Sequence, residues 1–415
     1  VQQERTARQR SAASGLLGLY RYALVGAGMA MTLGCATTFE PAALANSPFI
    51  NRTTSQSERG ISISAAVLSA DEFEQLTGVD VADEDIQPLW LSIENDRERP
   101  VRIAYASIDP DYYSPLELAW AYRKDFRKRS RDDVEMWFYE TKLPRAIPAG
   151  GSRSGFIYTQ AVEGTKGFNV DVYDGAEALH FTFFVPLPGF TPDYMNVDFA
   201  GLYEDDEISR TDRAGLRDAL RTFPCCTTNE AGQANGDPLN VVMAGSGQAV
   251  LRSLLRGGWH ETESGSALTR MSRAQRFHGR PPDGIFFRSR PDGSERKELR
   301  LWLAPMLVDD DPVWVGTVAY EMSGNLADAE DSNRQIDPDI DDARMYIIQN
   351  FWYAQSLEAF ALAPGVGSAP IDAPRENFLD QPYFTDGNRA VMFVADEPVG
   401  MDETEILFWE QFFER

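Results

Sequence analysis

Histidine and cysteine are scarce in this 415-residue chain, three of each. His180, His260 and His278 are far apart in sequence, so no metal centre or histidine-based nucleophile constellation is written there. No cofactor or metal is expected. Long apolar runs are also missing. The uncharged stretch from Tyr22 to Leu33 has 12 residues, whereas a membrane-spanning helix needs ~20. Basic charge is short as well: 39 Lys and Arg face 64 Asp and Glu, for a formal net charge of −25. Such a surface repels phosphate backbones, which excludes nucleic acid as a main partner.

The chain does have an N-terminal address. Arg5, Arg8, Arg10 and Arg21 precede the short apolar run, which closes on Thr32-Leu33-Gly34-Cys35. This order reads as a signal peptide with a lipobox over residues 1–35, Cys35 being the lipid-attachment site. It departs from the usual pattern at Thr32, where Leu is preferred. The alternatives are an ordinary signal peptide or an uncleaved anchor. The expectation is a palmitate-bearing lipoprotein held on the membrane by its N-terminal lipid and facing the periplasm, with the outer membrane as its site. The remaining cysteines, Cys225 and Cys226, are adjacent. Neighbouring Cα atoms lie ~3.8 Å apart, below the usual ~4.4 Å minimum of a disulfide, so a bridge requires a distorted turn. Free or separately paired thiols are the other reading.

Residues 36–60 are polar, carry Pro41 and Pro48, and show no apolar period, which predicts a tether. Short strand-like runs then follow from Ile61 to Val185, separated by turn residues. They predict a mainly-β sandwich over 61–190. One helix interrupts it at Ser114-Pro115-Leu116-Glu117, a capping box with proline at the first helical position. Its basic continuation, Arg123 to Arg131, reads as a solvated face rather than a membrane contact, because Asp125, Asp132 and Asp133 intervene. Residues 191–236 are expected to connect to a second, α+β domain with an antiparallel sheet over 237–400, giving an α+β chain overall. In the tail at 401–415, Asp402 and Glu405 form a capping box, and Ile406, Trp409, Phe412 and Phe413 recur at helical spacing. That spacing predicts an amphipathic helix closing the second core.

Several motifs in one order mark the second domain: Gly236-Asp237-Pro238-Leu239-Asn240, Gly258-Trp259, Leu299-Arg300-Leu301-Trp302, Val313-Trp314-Val315-Gly316-Thr317 and Ile336-Asp337-Pro338-Asp339-Ile340-Asp341. Over about residues 237–400 the chain resembles the LssY C-terminal domain family. The resemblance implies the fold of that domain and a link to secretion or envelope maintenance. It departs from the family where members carry paired histidines, at Lys297-Glu298 and Arg334-Gln335. It therefore implies a fold and not a reaction.

Two acidic and basic groupings remain as candidate chemistry. Asp337, Asp339, Asp341 and Asp342 alternate as calcium ligands do, but lack the glycine and closing glutamate of a calcium loop. A helix start with Asp337 as cap and Pro338 in the first turn accounts for them better. Residues 252–300 hold 11 Lys or Arg against 6 Asp or Glu. Arg270, Arg273, Arg276, Arg280, Arg288 and Arg300 could line an anion site, although pairing with acidic loops of the same protein is the favoured reading. The leading expectation is a non-catalytic binding or accessory protein of the cell envelope, engaging an envelope protein or a small anionic ligand. The alternative is a hydrolase of envelope phosphate esters using Arg280, Arg300, Asp339 and Asp341. Convergence of Arg280, Arg300 and the Asp337 to Asp342 carboxylates in one cleft is the test.

Overall fold

The computed structural model describes residues 37–82, 85–162, 164–175, 177–262, 271–290, 295–322 and 335–410. Eight strands occupy the N-terminal half: β1 (Thr54–Glu58), β2 (Ile61–Val67), β3 (Ile86–Asn95), β4 (Val101–Ala104), β5 (Ala146–Ile147), β6 (Gly151–Gln160), β7 (Thr165–Tyr173) and β8 (Ala178–Pro186). They form two antiparallel sheets, β1, β2, β3, β6 and β5, β4, β7, β8. Alternation decides which side chains meet between them. Ile61, Ile63, Leu89, Leu91 and Ile93 from the first sheet pack on Val170, Val172, Phe181 and Phe183 from the second. The sandwich expected from the sequence is present.

The outer face of the first sheet carries a second core under α1 (Ala70–Thr77), α3 (Pro115–Tyr122) and α4 (Arg131–Glu140), with the single-turn α2 (Tyr105–Ile108) beside β7. The capping box of α3 is made: the Ser114 hydroxyl accepts from the Glu117 amide, and the Glu117 carboxylate accepts from the Ser114 amide. The helix stops at Tyr122, and Phe126 lies beyond it in an irregular bridge to Thr37.

The described part of residues 36–60 is no tether. Phe39 and Phe49 are buried in the second core, and β1 pairs along its length with β2. The strand escapes an apolar-pattern search because its exposed serines hydrogen-bond across the pair, Ser55 to Ser64 and Ser57 to Ser62, both at 2.8 Å. Each buried Phe contributes roughly 1.5–3 kcal/mol, enough to hold a polar segment down.

The second half contributes β9 (Ser209–Thr211), α5 (Arg213–Thr222), β10 (Cys226–Thr228), β11 (Asn235–Pro238), β12 (Val241–Ala244), α6 (Gly247–Arg256), β13 (His260–Glu261), β14 (Gly284–Ser289), β15 (Glu295–Val308), β16 (Asp311–Met322), β17 (Gln335–Ile336), α7 (Ile340–Tyr353), β18 (Leu357–Pro364), β19 (Arg375–Glu376), β20 (Pro382–Tyr383), β21 (Asn388–Val394) and β22 (Glu405–Leu407). The main sheet runs β13, β14, β15, β16, β12, β21, β18, β22, with β9 on β15 and β17 on β16. It is mixed rather than wholly antiparallel. β12 pairs antiparallel with β16 but parallel with β21, and β18 pairs parallel with β22. Helices α6 and α7 bury one face of the sheet and α5 the other.

Two further expectations change here. The connector at 191–236 is built into this domain, since β9 joins the main sheet and Leu216 and Leu220 of α5 are fully buried. In the C-terminal tail, Glu405–Leu407 form the strand β22, and no helix occurs among the described residues 401–410. Leu407 and Trp409 turn inward against the α5-side core, while Ile406 and Phe408 face outward. A period of two, supplied by the free edge of β18, overrides the period of 3.6 in the sequence. Phe412 and Phe413 lie outside the described residues.

Candidate functional site

A cavity of about 490 Å³ opens beside the start of α6, on the sheet face that carries α6 and α7. Val250 and Leu251 of α6, Phe286 of β14, Leu301 and Leu303 of β15, Trp314 of β16 and Phe199 line it. Local chemistry explains its shape. Ser246 caps α6 by accepting from the Ala249 amide, and the Trp314 indole donates to the Gly245 carbonyl at 3.1 Å. Phe199 meets that indole edge-on at 5.5 Å. A Cβ at Gly247 would stand 3.1 Å from the Trp314 ring, so glycine lets helix and indole approach. Gly245-Ser246-Gly247 thus works as a helix entry. Asp283 also borders the cavity. Its carboxylate pairs with Arg280 and accepts the Leu303 amide at 2.7 Å, while burial raises its pKa against the pull of Arg280.

The opposite face of the same strands carries a buried polar cluster. Alternation along β15 places Arg296, Glu298 and Arg300 on the side of Trp302, and the register sets Arg296 opposite Glu321 and Arg300 opposite Thr317. Arg300 pairs with both Glu298 and Asp237. Arg296 pairs with Glu321 at 2.6 Å. Glu321 and Glu298 are near enough for each to shift the other's ionisation, and like charges so placed favour one of them carrying the proton. Burial raises the Glu321 pKa, and the negative charge of Glu298 raises it further, against Arg296. Burial acts on Glu298 in the same sense but is outweighed by Arg300 and by hydrogen bonds from Glu321, Arg300 and Ser272, leaving its pKa below the ordinary range. Gln275 accepts from the Thr227 hydroxyl and the Asp237 amide, and Asn377 donates to Asp237 at 2.5 Å. The cavity beside Asp237, Thr317 and Asn377 measures about 20 Å³, room for about one water. The cluster can share a proton and clamp three loops to the sheet.

The four catalytic candidates fall into three local settings, with Asp339 and Asp341 together at the start of α7. Arg280 is held by Asp283, the Tyr203 hydroxyl at 2.9 Å and the Leu303 carbonyl at 3.0 Å. Arg300 belongs to the polar cluster. Asp339, rather than Asp337, is the N-cap of α7 and accepts from the Asp341 amide, while Asp337 accepts from the Asp339 amide. The helix starts two residues later than the sequence suggests because the Pro338 carbonyl is used by the Phe384 amide. Asp341 accepts from the Thr385 hydroxyl and the Asp386 amide and lies 3.1 Å from Arg344. Burial raises the pKa of Asp339 and of Asp341.

Other arginines of the basic stretch also have partners: Arg273 pairs with Asp193, Arg290 with Glu295, and Arg288 stacks over Tyr346 at 5.9 Å. Arg270 and Cys35 lie outside the described residues. Cys225 and Cys226 are joined in a disulfide at the entry to β10. Among the described residues no cluster of three metal-ligating side chains occurs. Sequence reasoning missed Glu321, Asp237 and the apolar cavity. The polar alternation Arg296, Glu298, Arg300 in a strand flanked by apolar residues was the available signal for the first two.

Residues 217–388 match the family model described as the LssY C-terminus, which bears out the resemblance carried by the motifs of this domain. The match covers less than half of the chain and leaves the sandwich outside it. No curated protein matches the chain.

Proposed function

We propose, with the LssY C-terminus match as the frame for the second domain, that this is a lipid-anchored envelope protein that binds an apolar small molecule and does not hydrolyse phosphate esters. The observation that carries the reading is the cavity of about 490 Å³ beside α6, within the ~300–1,000 Å³ of ligand pockets and with a mainly apolar lining surface that Ser246, Gln248 and Asp283 border. The engagement of Arg280, Arg300 and the Asp339–Asp341 helix start with different partners supports the non-catalytic half, because general acid–base work requires groups free to converge on one reacting atom. The ligand differs from the small anion expected from the arginine stretch, whose arginines are largely engaged within the protein. The cell-envelope address rests on the leader and Cys35.

An environment-sensitive apolar dye tests the reading. The purified protein should enhance its fluorescence in a saturable way, and Leu303→Trp, which fills the cavity, should weaken dye binding about tenfold or more. The same preparation should leave p-nitrophenyl phosphate intact. Turnover abolished by Arg280→Gln, or dye binding indifferent to Leu303→Trp, would overturn the proposal.

A further inference from the structure

Loss of the tether has a geometric consequence. Thr37 is fixed: its carbonyl accepts the Arg127 amide at 2.9 Å, and it forms a parallel bridge with Phe126. Phe39, two residues on, is buried edge-on against Phe126 at 5.1 Å. Cys35 precedes Thr37 by two residues, which span at most ~7 Å of chain. A lipid on Cys35 therefore cannot leave the orientation of the protein free. It must bring the bilayer to the turn at Phe126.

The surface around that turn differs from the rest of the molecule. Residues 123–133 hold six Arg or Lys against Asp125 and, in the first turn of α4, Asp132 and Asp133, a local excess of +3 in a chain of net charge −25. Lys124, Arg127, Lys128 and Arg129 are exposed on the turns between α3 and α4. On α3, Leu116 and Trp120 stand one helical turn apart and remain 47% and 54% exposed, an apolar pair on the solvent side of the helix. Arg123 lies over the Trp120 ring at 5.6 Å. Exposed aromatic and basic side chains together suit the headgroup layer, where an amphipathic ring sits and cations meet anionic lipid. The acidic body is repelled by the same surface, so attraction and repulsion act in one sense on orientation.

We propose that α3 and the basic turns after it form a face that lies on the membrane, with Trp120 in the headgroup layer and Lys124, Lys128 and Arg129 against anionic lipid. This rests on the reading of Cys35 as the lipid site, and the experiment separates the two. Lipidated protein is extracted and reconstituted into phosphatidylethanolamine–phosphatidylglycerol vesicles carrying brominated acyl chains. Tryptophan emission should be partly quenched, and Trp120→Ala should remove that quenching, because the other described tryptophans are buried or half-buried.

The unlipidated Cys35→Ser protein should float with the same vesicles at low salt. Binding should fall roughly tenfold or more when Lys124, Lys128 and Arg129 are changed to Glu, with the thermal melt unchanged. An acylated Cys35 with quenching indifferent to Trp120→Ala leaves the anchor and removes the face. No acyl mass on Cys35, but flotation that depends on the three basic residues, leaves the face and removes the anchor. Flotation insensitive to the triple change and to salt overturns the face.

Discussion

Glu298 and Glu321 are a pair whose proton balance the sequence hides, since one lies on β15 and the other 23 positions later on β16. Their linkage to stability has opposite signs. Glu321 has a raised folded-state pKa, so its contribution is complete below the unfolded carboxylate value and is lost as pH rises through the raised one. Glu298 has a lowered folded-state pKa. Its contribution is present above the unfolded value and is lost as pH falls. Native protein should therefore lose stability from mildly acidic to alkaline pH, and Glu321→Gln should flatten that slope. Thermal melts between about pH 5 and about pH 9 check this, and parallel profiles for the two proteins would contradict it. Asp337 and Asp339 make a related point. Both suit a helix cap, and only the use of the Pro338 carbonyl by Phe384 settles that Asp339 takes the role.

Elements were legible where one periodicity held without competition. The α3 capping box and the alternating strands of the sandwich both follow from local chemistry. The C-terminal element was not legible, because its apolar residues fit a helix and a strand alike. Just past β22, Trp409 meets Phe393 at 6.2 Å, and its carbonyl accepts from Arg217 of α5. Trp409→Ala should cost about 2 kcal/mol, whereas Phe408→Ala, at a residue 83% exposed, should stay within about 0.5 kcal/mol. Denaturant midpoints measure both. Equal losses would favour an element that buries both rings.

At the scale of the molecule the two halves are joined by a buried carboxylate. Glu261 of β13 accepts the Thr165 amide of β7 at 2.9 Å and the hydroxyl of Tyr194, and is itself buried. Removing it leaves the buried Thr165 amide and the half-buried Tyr194 hydroxyl without this acceptor. Glu261→Ala should cost about 2 kcal/mol and separate the unfolding of the sandwich from that of the second domain in calorimetry. A single transition at the parental temperature would show that other contacts hold the halves together.

What the sequence determined by itself is local or repetitive: the alternating strands of the sandwich, the capping box of α3, the acidic surface, and the motifs that place residues 217–388 in the range of the LssY C-terminus model. These depend on neighbours within a few positions, and a linear pattern records them. The tertiary structure decided what depends on distant partners. It buried Phe39 and Phe49 and so abolished the tether, drew β9 and α5 into the second domain, and turned Glu405–Leu407 of the tail into a strand at the edge of β18. It also tied Arg280, Arg300 and Asp341 into separate ion pairs, used Asp339 as a helix cap, and brought Glu298 to Glu321. Burial, charge pairing and a free sheet edge act through space between residues far apart in the chain, and no periodicity along the chain encodes them.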